Sequence, residues 1–127
     1  MTQGLILFAH GARDPRWAAP FQDMAQRVRG QRPQWQVRLA FLEFMTPDLS
    51  GAAAELVAAG CTQVDLLPVF LGSGGHVRKD LPRLLDGLRG QHAATTFRLH
   101  GAIGEVPQVL QAMADAAVAA AEQAVAE

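Results

Sequence analysis

Apolar residues run along this chain in short continuous blocks that alternate with stretches of helical spacing. Gly4 to Ala9 is apolar at every position and closes on His10-Gly11. Such a run, with no polar face, reads as a strand covered on both sides of a sheet. Asp14-Pro15 follows, with Asp14 suited to cap a helix and Pro15 to open it. Phe21, Met24, Ala25 and Val28 then recur at 3–4 spacing to about Arg29, and Gly30 and Pro33 end the pattern. Gln36 to Glu43 predicts a second strand carrying Val37, Leu39, Phe41 and Leu42. Thr46-Pro47-Asp48 opens a second helix, Asp48 to about Ala59, stopped by Gly60. Gln63 to Leu71 predicts a third strand, with irregular pairing expected at Pro68 because proline cannot donate to a ladder. A glycine-rich loop leads to a third helix over about Lys79 to Leu88. Thr95 to His100 is a short fourth strand. Pro107 opens a long Ala-rich helix with Val109, Leu110, Met113, Ala117 and Ala121 on one face.

Strand and helix thus alternate four times, which predicts an α/β fold: a parallel sheet with right-handed crossovers and helices on both faces, in three layers. The 127 residues fit one domain spanning 1–127. The commonest order for such an open sheet, 2-1-3-4, makes strands 1 and 3 neighbours whose following helices leave to opposite faces. Their carboxyl ends then form the topological switch point, where these folds bind ligands.

Two histidines, His10 and His76, follow those two strands although they lie 66 positions apart. Either could simply bond to a loop carbonyl, but their joint placement at one crevice favours a shared role, and neutral imidazole is a common metal ligand. Glu43 ends strand 2 beside strand 1. A strand-end Glu is usually solvated, yet this one aims at the same edge, as a third ligand or a proton acceptor. The loop Gly72, Ser73, Gly74, Gly75 is either a plain turn or a backbone cradle for an anion. It lacks the Lys of a Walker motif and the spacing of a dinucleotide fingerprint. Arg13, Arg16, Arg78 and Lys79 cluster around the histidines and could hold carboxylates of a polyanionic substrate. Trp17 could pack or contact a flat ligand, whereas Trp35 and His92 read as packing and surface. His100 ends strand 4, away from the switch point.

Composition narrows the classes. Half of the residues are hydrophobic and 18% charged, enough for a packed core. The formal net charge of -1 argues against general nucleic-acid binding. The one cysteine, Cys61, rules out a disulfide within the chain and a Cys-based zinc site, and reads as a buried thiol. No apolar run is long enough to span a membrane and no secretory leader is evident, so a cytoplasmic protein is expected.

Three segments carry a resemblance. His10-Gly11-Ala12-Arg13-Asp14-Pro15, Ala40-Phe41-Leu42-Glu43 and Val69 through Pro82, with Gly72-Ser73-Gly74-Gly75-His76-Val77-Arg78-Lys79 at its centre, look like the signatures of sirohydrochlorin chelatases. These are class II tetrapyrrole chelatases, resembled here in their short, single-lobe cobaltochelatase form. The resemblance implies ATP-independent insertion of Co(II), or Fe(II) or Ni(II), into sirohydrochlorin, with release of two protons and no further cofactor. It maps the family's histidines onto His10 and His76 and its glutamate onto Glu43. It also implies a homodimer with a cleft between two copies. Ala12 departs from the usual His-Gly-Ser, which puts a hydroxyl role there in doubt. Two other readings stay open at this point: a non-catalytic metal- or tetrapyrrole-binding module, and a phosphohistidine phosphatase-type enzyme, which would normally carry Arg where Ala9 stands.

Overall fold

The computed structural model describes residues 2–72 and 74–126, including side chains except those of residues 75, 76, 78 and 124–126. Its elements are β1 (Thr2–Ala9), α1 (Ala19–Gln31), β2 (Gln36–Phe41), α2 (Leu49–Ala58), β3 (Cys61–Pro68), α3 (Gly75–Gln91), β4 (Thr96–Leu99) and α4 (Pro107–Ala126). Short 3-10 turns at Pro15–Ala18 and Ile103–Glu105 precede α1 and α4. All strand pairs are parallel, in the order β2-β1-β3-β4. The alternating pattern therefore predicts the sheet correctly, including its switch point between β1 and β3.

Alternate residues of each strand feed two cores. Ile6, Phe8, Ala40, Val64, Leu66 and Phe97 meet the buried faces of α2 and α3, through Leu49, Ala52, Ala53, Leu56, Leu81, Leu85 and Leu88. On the opposite face Leu7, Ala9, Val37, Phe41 and Val69 meet Ala18 and Ala25 of the α1 side. Past their polar first residues, β1 from Gly4 to Ala9 and β3 from Val64 to Pro68 are largely buried, with Leu5 and Leu67 partly covered, and nearly free of polar residues. The exception is Asp65, only 7% exposed. Among the described residues no helix is long and apolar enough to cross a membrane.

Several boundaries differ from expectation, each for a local reason. Asp14 accepts a hydrogen bond from the Arg16 N–H as expected of a cap, but the turn it caps is 3-10, and α1 restarts at Ala19 with a proline in its first turn. The helix then runs through Gly30 to Gln31. Strand β2 stops at Phe41, two residues early, and Phe44 takes a left-handed backbone (φ 68°) in the turn that follows. Pairing at Pro68 is regular. His100 N–H donates to Leu66 O, so Pro68, two residues on, faces the β4 side just past the last β4 partner, Leu99, where no donor is required. The register shift lies instead at Thr2/Gln3. Helix α3 begins at Gly75, four residues before the expected start, because glycines hide a helix onset from propensity. Pro82 consequently falls inside α3 and leaves the Arg78 carbonyl without its helical N–H.

Candidate functional site

The carboxyl ends of β1 and β3 open a cavity of about 520 Å³, lined by His10, Trp17, Val69, Phe70, Leu71, Gly72, Gly74 and Val77. This is the switch point. His10 leaves β1 in a half-exposed position with its ring edge-on to Phe70, centroids 6.0 Å apart. Phe70 in turn packs edge-on to Phe8 of the core, at 6.1 Å. Trp17 packs on Phe21, rings tilted 38° with centroids 4.6 Å apart, and supplies another wall of the cavity.

Glu43 reaches His10 although β2 has ended. Leu42 N–H donates to Ala9 O (2.9 Å) and Glu43 N–H to His10 O (3.1 Å), which carries the β1/β2 ladder two residues beyond the strand. His10 Nε2 and Glu43 Oε1 then stand 3.5 Å apart, both half-exposed. Gly11 makes this crossing possible. Its φ is +93°, and a Cβ there would lie 1.9 Å from Glu43 O. No residue with a side chain fits that backbone without moving one of the two segments.

The remaining expected residues divide. The Arg13 guanidinium lies over the Phe44 ring, 4.9 Å from its centroid, one residue from Glu43. Arg16 is instead engaged locally: its Nη2 donates to Asp14 Oδ2 at 2.8 Å, and that hydrogen bond holds the Asp14 carboxyl below its usual range. Gly72 and Gly74 line the cavity with open space where a Cβ would be, so neither is forced by close packing. Gly75 opens α3 behind Gly74, which offers no side-chain cap to the helix N–H groups. Lys79 is exposed on α3. His76 and Arg78 sit in the first turns of α3, not in a loop as expected. Their side chains, and Ser73 altogether, lie outside the described residues. Among the described residues no group of three His, Cys, Asp or Glu side chains converges as a metal cage.

Two features escaped the reading of the sequence. Phe70 and Leu71, expected at the end of the third strand and the start of the third signature segment, form cavity wall. A polar network on the α1-side face of the sheet, across β1, β3 and β4, was also missed. Asp65 accepts from Arg98 Nε (2.7 Å), from His100 Nε2 (2.7 Å) and from Gln3 Nε2 (2.5 Å). Burial pushes its carboxyl up, but these hydrogen bonds and the Arg98 charge outweigh that and hold it at about 2. The signal was a single Asp inside an apolar run, Val64-Asp65-Leu66, which demands buried partners.

The chain is similar to several known proteins. A CbiX protein from Marinobacter aquaeolei VT8, assigned to cobalamin (vitamin B12) biosynthesis, superposes with a TM-score of 0.84 at 30% identity, covering 95% of this chain and 98% of that one. SirB from Bacillus subtilis with Fe3+ superposes at 0.76 over 88% of this chain and 44% of its own; at 19% identity this likeness concerns the fold. Sirohydrochlorin cobaltochelatases of Methanococcoides burtonii and Saccharolobus solfataricus are 29% and 33% identical over 82 and 84 residues. Those matches span 65% of this chain and 63% and 62% of the relatives, under two thirds of their length. The sequence profile of the CbiX family matches residues 4–120, nearly the whole chain and all three signature segments, and the protein belongs to that family.

Proposed function

We propose that this protein is a sirohydrochlorin chelatase that inserts Co(II) into the macrocycle without ATP. The observation that carries the reading is the His10–Glu43 pair at the mouth of the switch-point cavity. Two donors each about 2.1 Å from one ion, at a tetrahedral angle, stand about 3.4 Å apart. The observed 3.5 Å between His10 Nε2 and Glu43 Oε1 is that spacing. Imidazole and carboxylate suit Co(II) and Fe(II) alike, and affinity alone does not choose between them. The names of the curated relatives favour cobalt, and Fe(II) is the alternative ion.

Insertion requires a metal held with open coordination positions, a macrocycle bent out of plane, and removal of pyrrole protons. His10 and Glu43 leave positions free for pyrrole nitrogens, and His76, from the first turn of α3, is the third donor assigned to this ion. Glu43 also accepts a proton as the ring nitrogen takes over the metal. Apolar walls from Phe70, Leu71, Val77 and Trp17 receive the ring face, and walls that fit the bent ring better than the flat one lower the barrier. Arg13, Arg78, Lys79 and the N–H groups at the start of α3 serve the peripheral carboxylates of the substrate. Arg16, already bound to Asp14, joins them only by giving up that partner. One copy presents its cavity as a single wall, and a second copy facing it closes the site.

The test is an absorbance assay with sirohydrochlorin and Co(II), Fe(II) or Ni(II) in turn. Rapid insertion of Co(II), lost in His10→Ala and in His76→Ala with the fold retained, is expected. Undiminished turnover in either variant overturns that residue's role, and no insertion of any ion overturns the reading.

A further inference from the structure

Phe44 holds a conformation that its residue type resists. Among the described residues it alone, glycines aside, has a left-handed backbone, with φ 68°. Such a position ordinarily carries Gly or Asn, because the Cβ of a bulky L residue crowds the following carbonyl there. Burial does not explain the choice, since Phe44 is 57% exposed. Nor is the turn loosely held. Met45 packs against the α1-side core, and Phe41 N–H donates to Pro47 O (3.0 Å), so both flanks are fixed while the ring stays out of the core.

The ring meets Arg13, whose Cζ lies 4.9 Å from its centroid. Arg13 is exposed and has no carboxylate partner among the described residues. Arginines elsewhere close on a nearby acid, as Arg16 does on Asp14 and Arg98 on Asp65. Arg13 does not close on Glu43, although Glu43 directly precedes Phe44 and faces His10. A π face attracts the cation without consuming an N–H. The guanidinium therefore keeps its fork of donors for a planar anion that accepts twice, which is what a carboxylate is.

We propose that Phe44 is a positioning residue for the substrate. Its left-handed turn sets a ring against Arg13, which holds the guanidinium off Glu43 and leaves its N–H groups open to a carboxylate on the rim of the macrocycle. Phe44 follows Glu43 directly and Arg13 is three residues past His10, so a carboxylate bound there lies close to the pair assigned to the ion. Sparsely populated backbone conformations of this kind gather at ligand clamps, where they serve binding rather than stability. Phe44 has this role only if the chain binds a tetrapyrrole, so it rests on the chelatase reading.

Binding of metal-free sirohydrochlorin, read by quenching of tryptophan emission, tests the role apart from insertion. Phe44→Leu should raise Kd roughly two- to fivefold, the worth of a cation–π contact at an exposed site. Phe44→Tyr, which keeps the ring, should bind like the parent chain. In an Arg13→Gln background Phe44→Leu should change Kd no further. Phe44→Gly should weaken binding as Phe44→Leu does while Tm holds or rises, because glycine takes φ 68° without strain. A Phe44→Leu protein that binds like the parent, an effect undiminished in Arg13→Gln, or a Phe44→Gly protein that loses stability along with binding overturns the role. Co(II) insertion by the same samples separates the two readings. A parent chain that inserts Co(II) while its Phe44 variants all bind as it does overturns the role of Phe44 alone. A parent that binds the tetrapyrrole and inserts no ion overturns the chelatase activity, with the Phe44 effect on Kd still expected. A parent that neither binds nor inserts overturns both.

Discussion

Gly11→Ala tests whether the backbone crossing at the site is as tight as the geometry says. An added Cβ would lie 1.9 Å from Glu43 O, and real Cβ atoms essentially never come within 3.0 Å of such an atom. The difference, 3.0 − 1.9, means that the His10 and Glu43 segments must part by about 1.1 Å. The same alanine must also hold φ +93°, which costs about 1–2 kcal/mol by itself. Parting the segments weakens the Glu43 N–H to His10 O hydrogen bond, at about 1 kcal/mol more. The sum is about 2–3 kcal/mol, a fall in Tm of roughly 8–12 °C for a chain of this size. A displacement of about 1 Å in a catalytic pair costs on the order of 100-fold in rate. Thermal unfolding and Co(II) insertion should therefore both suffer, and His10→Ala, which leaves Gly11 and its crossing alone, should lose insertion with a much smaller change in Tm. A Gly11→Ala protein with parental Tm and parental turnover refutes the reasoning at its root.

Other expected outcomes follow from the same structure. Asp65→Asn should lower stability at pH 7 by about 2 kcal/mol, since the carboxyl is held near 2 against an ordinary 3.8. A carboxyl depressed in the folded state stabilises above its unfolded value and loses that contribution as pH falls. The gap between parent and variant in urea unfolding should thus be full at pH 6 and shrink from about pH 4 toward pH 2. Gly104→Ala places a Cβ 2.1 Å from Leu71 O and should displace the Leu71 wall, raising KM for the tetrapyrrole more than it lowers kcat. Leu56→Ala, at a side chain with no solvent exposure between α2 and the sheet, should cost about 2–5 kcal/mol in chemical denaturation without altering metal binding by the folded protein.

The sheet was legible because its interior strands are apolar on both faces. Leu5 through Ala9 and Leu66 through Phe70 contain no charged residue, and only a parallel sheet with helices on both faces asks for that. Their ends at His10 and Leu71 then locate the switch point without any coordinates. The reach of Glu43 was legible only as direction. Its approach to His10 depends on the Leu42 and Glu43 N–H groups finding Ala9 and His10 carbonyls, and backbone bonding leaves no mark on residue pattern. The onset of α3 was hidden because Gly72 through Gly75 spell a loop by propensity, yet two of those glycines line the cavity and one opens a helix. The Asp65 network was hidden by distance: its partners lie 62, 33 and 35 positions away. Helix α4 was predicted with an apolar face, but periodicity says only that a face exists, not what covers it.

The position of the site in the fold also explains why so few ligands come from it. A metal held by four or more protein donors in a closed cage stays where it is, as structural sites do. Where the β1/β2 ladder runs on past the strand ends, the chain brings one imidazole and one carboxylate to ligand spacing, and both remain half-exposed. The neighbouring wall of Trp17, Phe70, Leu71 and Val77 is aromatic and aliphatic, so under the proposed function it would offer the ion little and a flat ring much. Under the proposed function, an ion held this loosely beside such a wall would be poised to move from protein to ring. The direction of transfer would follow from that asymmetry: the macrocycle would bring a full set of nitrogens to an ion for which the protein would supply only a partial set. Adding a donor at the cavity wall should accordingly tighten Co(II) binding and slow its delivery. Phe70→His, beside the His10 ring, is the variant to make. Calorimetric Co(II) affinity should rise while single-turnover insertion slows, and a variant that binds more tightly yet inserts as fast would show that release of the ion is not what the open coordination serves.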